Sequence, residues 1–239
     1  MRPELLSESV DFFAEDPGQM PKTLFVLGGR KPDGAWLADF VGRNGFSVWA
    51  VDSGVAACRN AGVSPAVLIG DRDSASSEDW EWGLGSGADE YLHPAAKDLT
   101  DFQLAAGLMR ERGRAGLVLT GCFGGRFDHL FSIVGTFARE RSLCMIDETE
   151  GLFLIRPSEE HDIAFRKRPM AISLLPLSEE CSGVRLSGVR WPLEGVSLMR
   201  DYPWAVSNEA LPDGDGTVCQ EVRACCGSGL MGFYWSFRK

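Results

Sequence analysis

The sequence predicts an α/β half followed by an all-β half, and two observations carry that division. Apolar runs at 23–27, 46–51 and 66–69 each end in glycine or acid, and each leads into a helical pattern. Strand–loop–helix units repeated so closely make a parallel sheet with crossover helices. From Ile163 onward the segments become short, rich in Gly, Pro and Ser, and punctuated every eight to twelve residues or so. That texture points to an antiparallel sandwich or barrel. The expected parts are an N-terminal extension (1–21), an α/β domain (22–157) and a β domain (158–239), with the junction between 156 and 162.

Composition narrows the function classes. The chain has 239 residues, 44% of them hydrophobic, enough for a core of ordinary size. Acidic residues outnumber basic ones 34 to 24, for a net charge of −10, which argues against a protein that grips nucleic-acid phosphates. Residues 1–20 carry Glu4, Glu8, Asp11, Glu15 and Asp16 and lack the basic and apolar blocks of a secretory signal. No run approaches the roughly 18 apolar residues of a membrane span, so a soluble cytoplasmic protein is expected. Seven scattered cysteines and three distant histidines fit reduced thiols and give no zinc spacing.

Element by element, the spacing predicts a short amphipathic helix over 5–13, then a buried strand at 23–27 that delivers a flexible Gly28-Gly29 loop. A helix over 35–41 and a strand at 46–51 follow, ending at Asp52-Ser53-Gly54. Pro65 opens the third strand, which stops at Gly70-Asp71-Arg72-Asp73-Ser74. A helix within 75–86 packs Trp80 and Trp82, and a short strand at 89–92 is halted by Pro94. Thr100 or Asp98 caps the next helix, whose apolar face is Phe102, Leu104, Ala105, Leu108 and Met109. A fifth strand at 115–120 runs into Gly121-Cys122-Phe123-Gly124-Gly125-Arg126-Phe127-Asp128-His129 and a further helix. Segments 143–147 and 151–155 flank a tight connection that closes the first domain. Strands at 170–175, 181–186, 218–225 and 229–237 make up the second.

Chemistry concentrates at the strand ends. Asp71 and Asp73 emerge where open α/β sheets bind ligands, and without a basic partner in the preceding run they call for water, a divalent cation or Arg72. Alone, the motif reads equally as an Asx-turn leading into a capped helix. Asp101 falls in a helix's first turn, near the positive end of its dipole. Gly124 and Gly125 let backbone N–H groups approach an anion, and Arg126 can grip phosphate oxygens in a fork. His129 orients Asp128 or caps the helix. No P-loop is present, and no Gly-x-Gly-x-x-Gly follows a strand and opens a helix as the dinucleotide fingerprint does. In the second half, Ser207-Asn208 with Trp191 offers hydrogen bonds and a stacking face for an aromatic ligand, or simply a turn and a core residue.

These motifs, in this order, resemble the thiamin pyrophosphokinase family. They are Asp52-Ser53-Gly54, Gly70-Asp71-Arg72-Asp73-Ser74, Asp98-Leu99-Thr100-Asp101, Gly124-Gly125-Arg126-Phe127-Asp128-His129, Gly188-Val189-Arg190-Trp191-Pro192-Leu193 and Ser207-Asn208. Two positions depart from the family pattern: Ser53 stands where glycine is usual, and Arg72 where an aromatic is frequent. Arg72 either adds a phosphate contact or points away. The resemblance implies a Rossmann-like ATP-binding α/β domain, a thiamin-binding β-sandwich and a homodimer with sites between subunits. It also implies transfer of the diphosphoryl group of ATP to thiamin, releasing AMP. Asp71, Asp73 and Asp101 would then hold Mg²⁺ and diphosphate, with Asp101 or Asp71 taking the hydroxyl proton. Asp52, Ser53, Gly54, Asp98, Thr100, Gly124, Gly125, Arg126, Asp128 and His129 would serve the nucleotide side, and Trp191, Ser207 and Asn208 thiamin. A pyrophosphokinase for a pterin-like alcohol, an Asp-x-Asp nucleotide-sugar transferase and a non-catalytic regulator are the competing readings.

Overall fold

The structure is a computed structural model that describes residues 4–6, 10–13, 22–94, 98–114, 116–140, 142–212 and 221–238. Backbone proximity divides it into two units, Pro17–Asp147 and Met1–Asp16 with Glu148–Lys239. The chain opens on β1 (Glu4–Leu6) and β2 (Val10–Phe13), an antiparallel pair in which Glu4 faces Phe13. This overturns the helix expected over 5–13. Its physical reason lies far along the chain, where β10 (Glu160–Phe165) offers an edge and pairs Ile163 with Phe12.

The Pro17–Asp147 unit is the α/β half. Its parallel strands are β3 (Thr23–Val26), β4 (Ser47–Val51), β5 (Val67–Gly70), β6 (Asp89–Leu92), β7 (Leu117–Thr120) and β8 (Ser142–Ile146), in the order β8-β7-β3-β4-β5-β6. Helices α1 (Gly34–Asn44), α2 (Gly54–Ala61), α3 (Ser77–Gly85), α4 (Asp101–Glu111) and α5 (Phe127–Arg139) connect them. Every residue of β3, β5 and β7 is buried, as expected for strands covered on both faces. Phe25 stacks on its register partner Trp49 at 5.3 Å, and Phe102 of α4 meets Phe25 edge-on at 6.1 Å. The chain steps outward from β3 to β6 and then returns to β7 on the other side of β3. That reversal places the switch point between β3 and β7, and all the carboxyl ends lie along one rim.

The second unit is a sandwich of two antiparallel sheets. One runs β1-β2-β10-β14-β12-β13, with β12 (Glu180–Ser187), β13 (Leu193–Met199) and β14 (Val222–Cys225). The other joins β11 (Ala171–Pro176), β15 (Met231–Ser236) and β9 (Glu150–Ile155). Phe153 stacks on Phe233 at 4.9 Å, and Phe165 of the first sheet lies edge-on to Trp235 of the second at 6.2 Å. The second segment of this unit starts at Glu148, so β9 lies within it, and β10 occupies the expected junction at 156–162. Of the strand expected at 218–225, residues 218–220 lie outside the described residues, as does Ala115 of the fifth strand. No helix among the described residues is long and apolar enough to cross a membrane.

Candidate active site

The acidic rim is built by two strand ends forced together. Asp52 leaves β4 with a left-handed backbone (φ 56°), and its N–H donates to the Ile69 carbonyl at 2.8 Å. A Cβ on Gly70 would lie 3.2 Å from the Asp52 Cα, so a side chain there would push the end of β5 away from β4. The Asp73 N–H donates to Asp71 Oδ1 at 3.1 Å, the expected Asx-turn, and the Ser74 hydroxyl donates to Asp52 Oδ1. As a result Asp52, Asp71 and Asp73 each offer a carboxylate oxygen within 4.8 Å of the others.

That crowding shows in the protonation chemistry. Asp73 has its pKa raised, first by the proton it shares with Asp71 and by the charge of Asp71, then by the charges of Asp52 and Asp101. Carboxylates this close, Asp52 and Asp71 half-buried and Asp73 exposed, repel one another, so positive charge among them is favourable, and an all-oxygen donor set suits a hard divalent ion. Arg72 does not fill that role. Its side chain turns back to the Glu90 carboxylate and lies over the Trp80 ring, 5.4 Å from the centroid. Asp52, expected on the nucleotide side, thus stands in the compact acid group, whereas Asp101 reaches it as a neighbouring charge.

Asp101 is held by a well-formed helix start. Thr100, not Asp98, is the N-cap of α4: its Oγ1 accepts from Gln103 N at 3.3 Å, and Gln103 Oε1 accepts from Thr100 N at 3.0 Å. Asp98 lies exposed just before it. On the other side of the switch point, Gly124 and Gly125 both have φ of 70°, a pair of left-handed residues that side chains would strain. Arg126 then occupies the N-cap of α5 and forks onto Asp128 at 3.1 and 2.5 Å, which lowers the Asp128 pKa. Both are exposed, as is His129 in the helix's first turn.

One basic residue here went unnoticed in the sequence. Arg30 follows Gly28-Gly29, and the loop is laced rather than flexible: Gly29 N donates to Gly121 O and Arg30 N to Phe123 O, both at 2.7 Å. The Arg30 guanidinium pairs with the buried carboxylate of Asp147. Its own side-chain stem lies 3.1 Å from where a Cβ on Gly124 would be, so it backs the glycine turn. An arginine after two glycines at a strand end was the signal available.

Within the sandwich, Asn208 turns both ends of its side-chain amide onto the protein. Its Oδ1 accepts from Trp191 N at 3.2 Å and Glu209 N at 2.9 Å, and its Nδ2 donates to Trp191 O at 2.7 Å. Its backbone exchanges two hydrogen bonds with Ile172 of β11, each 2.8 Å. Ser207 has φ 58°, and its N–H donates to Ser173 Oγ at 3.0 Å. Trp191 is 52% exposed with the Arg190 guanidinium over its ring, so it is a surface aromatic and not core.

Carboxylates and a glycine–arginine helix start along one parallel-sheet rim, in a chain whose other unit is a β-sandwich, are the equipment of a phosphate-handling transferase. Two family models match, the thiamin pyrophosphokinase catalytic domain over residues 44–146 and the thiamin pyrophosphokinase vitamin B1 binding domain over 160–220. The chain belongs to the thiamin pyrophosphokinase family. A curated relative, the thiamine pyrophosphokinase of Bacillus subtilis (strain 168), is 27% identical over 173 residues, 69% of this chain and 79% of that protein. The crystal structure of the Bacillus subtilis thiamine pyrophosphokinase aligns with a TM-score of 0.75 at 22% identity, covering 91% of this chain and 100% of that one. Yeast thiamin pyrophosphokinase aligns at 0.67 and 14% identity, covering 92% and 87%. These two structures speak for the fold.

Proposed function

We propose that this chain transfers the β,γ-diphosphoryl unit of ATP to the hydroxyethyl oxygen of thiamin, giving thiamin diphosphate and AMP. The observation that carries the reading is the acid group of Asp52, Asp71 and Asp73 on the same rim as the Gly124-Gly125-Arg126 turn. Asp52, Asp71 and Asp73 would hold Mg²⁺, which when bound neutralises and orients phosphate oxygens. The nucleotide lies at the switch point in Rossmann-like fashion. Ser53 and Gly54 border it from β4, while Asp98 and Thr100 do so ahead of α4. The N–H groups of Gly124 and Gly125 and the N-terminus of α5 face the phosphates.

Asp128 holds the Arg126 guanidinium until the nucleotide arrives, Arg126 then exchanges that carboxylate for a phosphate oxygen pair, and His129 borders the phosphates from the same helix start. The thiamin oxygen attacks the β-phosphorus, the bond from that phosphorus to the α-bridging oxygen breaks, and AMP departs. Asp101 lies outside the compact group and takes the hydroxyl proton. Trp191 offers thiamin a ring face, Ser207 a hydroxyl, and Asn208 fixes both loops. The chain works as a cytoplasmic homodimer with Mg²⁺ and ATP.

Incubation of the protein with ATP, Mg²⁺ and thiamin, followed by mass analysis, tests this. Thiamin diphosphate and AMP in equal amounts are expected. ADP with thiamin monophosphate would overturn the diphosphoryl step, and turnover only with a pterin alcohol would reassign the acceptor.

A further inference from the structure

Arg72 stands between two carboxylates of the acid group yet gives its charge to neither. Its left-handed backbone (φ 67°) is one of four positive-φ positions outside glycine among the described residues, and Asp52 is another. Such a conformation is strained for a long side chain and persists only where the surroundings over-determine it. The surroundings here are a clasp. Glu90 of β6 binds the guanidinium, the Trp80 indole N–H of α3 holds the same Glu90 oxygen at 2.6 Å, and the Trp80 ring faces the guanidinium. Trp80 first, and then Arg72, keep the Glu90 carboxyl below the usual range, so its charge is secured.

The clasp closes a circuit around the turn. β5 carries Leu68 beside Glu90 of β6 in parallel register, leaves the sheet at Gly70, and is tied back to that neighbour two residues later. An ion pair with side chains 45% and 29% exposed adds little to folding stability, so its consequence is geometric. Unclasped, the guanidinium would be a tethered cation beside Asp71 and Asp73, competing for the place of a metal ion.

We propose that Arg72 is a positioning residue: clasped by Glu90 and Trp80, it fixes the turn that presents Asp71 and Asp73 and keeps its own charge out of the acid group. This rests on the reading that the group binds a divalent cation. Charge alone makes the opposite forecast for Arg72→Ala, because removing a nearby cation should tighten metal binding.

The test is Mn²⁺ binding to the protein without nucleotide, followed by the spin resonance of free Mn²⁺, for the wild type, Asp73→Asn, Arg72→Ala, Arg72→Lys, Glu90→Ala and the Arg72→Ala/Glu90→Ala pair. Arg72→Ala and Glu90→Ala should each weaken Mn²⁺ binding about tenfold, the scale of losing a partner that orients a ligand. The double variant should be no worse than either single one, and Arg72→Lys should fall between wild type and Arg72→Ala. Unfolding temperatures should stay near that of the wild type. Equal or tighter Mn²⁺ binding by Arg72→Ala, with binding lost in Asp73→Asn, overturns the clasp and leaves the metal reading standing. Absent binding in the wild type, or binding untouched by Asp73→Asn, overturns both. If Arg72→Ala does not fold, Glu90→Ala decides, and an unchanged affinity there overturns the clasp.

Discussion

At the scale of single residues, Asp73 sits where function and stability pull in opposite directions. Its proton affinity is raised by Asp71, Asp52 and Asp101, so the folded chain holds that proton more tightly than the unfolded chain does. For a carboxyl shifted upward, the stabilisation is fully present below the unfolded pKa and is lost as pH rises through the folded one. At neutral pH the ionised Asp73 carboxylate is therefore a net cost to folding. Asp73→Asn keeps the shape and removes one charge. Thiamin diphosphate formation should fall at least ~100-fold, the scale of a preorganised electrostatic group. In EDTA, calorimetry should find the variant more stable than wild type at pH 8, with the difference shrinking as the pH falls toward the unfolded carboxyl value. A variant with full activity would remove Asp73 from the site, and one destabilised at pH 8 would show that the repulsion is not felt.

At the scale of elements, Asn208 joins β11 to the Trp191 and Glu209 loops through both its backbone and its side-chain amide. Asn208→Ala strands the Trp191 and Glu209 N–H groups. It should cost about 1–3 kcal/mol of stability and raise KM for thiamin, with ATP affinity by calorimetry nearly unchanged; a fall in ATP affinity instead would reverse the assigned domain roles. The parallel strands were legible because β3, β4, β5 and β7 are unbroken apolar runs ending in glycine or acid, a pattern that needs only local sequence. β10 was not. Its inward residues are His161, Ile163 and Phe165, and the acids Glu159, Glu160 and Asp162 around its start look like linker after Pro157. β13 buries little besides Leu198, and β2 depends on an edge about 150 residues away. The site divides the same way. Asp71, Asp73, Asp101 and Arg126 announced themselves at strand and helix ends. Asp52 in the acid group, the retreat of Arg72 and the bracing by Arg30 required the fold to bring distant segments together.

At the scale of the whole molecule, the net charge of −10 acts unequally on the proposed substrates. The thiazolium of thiamin and a free divalent cation are drawn toward an acidic protein, while the Mg²⁺ complex of ATP, still anionic, is repelled until it meets Arg126 and the α5 N-terminus. Salt screens such fields over a Debye length of about 10 Å at 0.1 M. Raising KCl from about 20 to about 200 mM, a range over which that length shrinks roughly threefold, should therefore weaken Mn²⁺ binding and raise KM for thiamin, while KM for the ATP complex holds or falls. Steady-state kinetics at constant free Mg²⁺ separates the three responses. If KM for the ATP complex rises steeply while thiamin is indifferent, local cations outweigh the global field at the nucleotide end. The attraction of the acidic rim would then be confined to the metal ion itself.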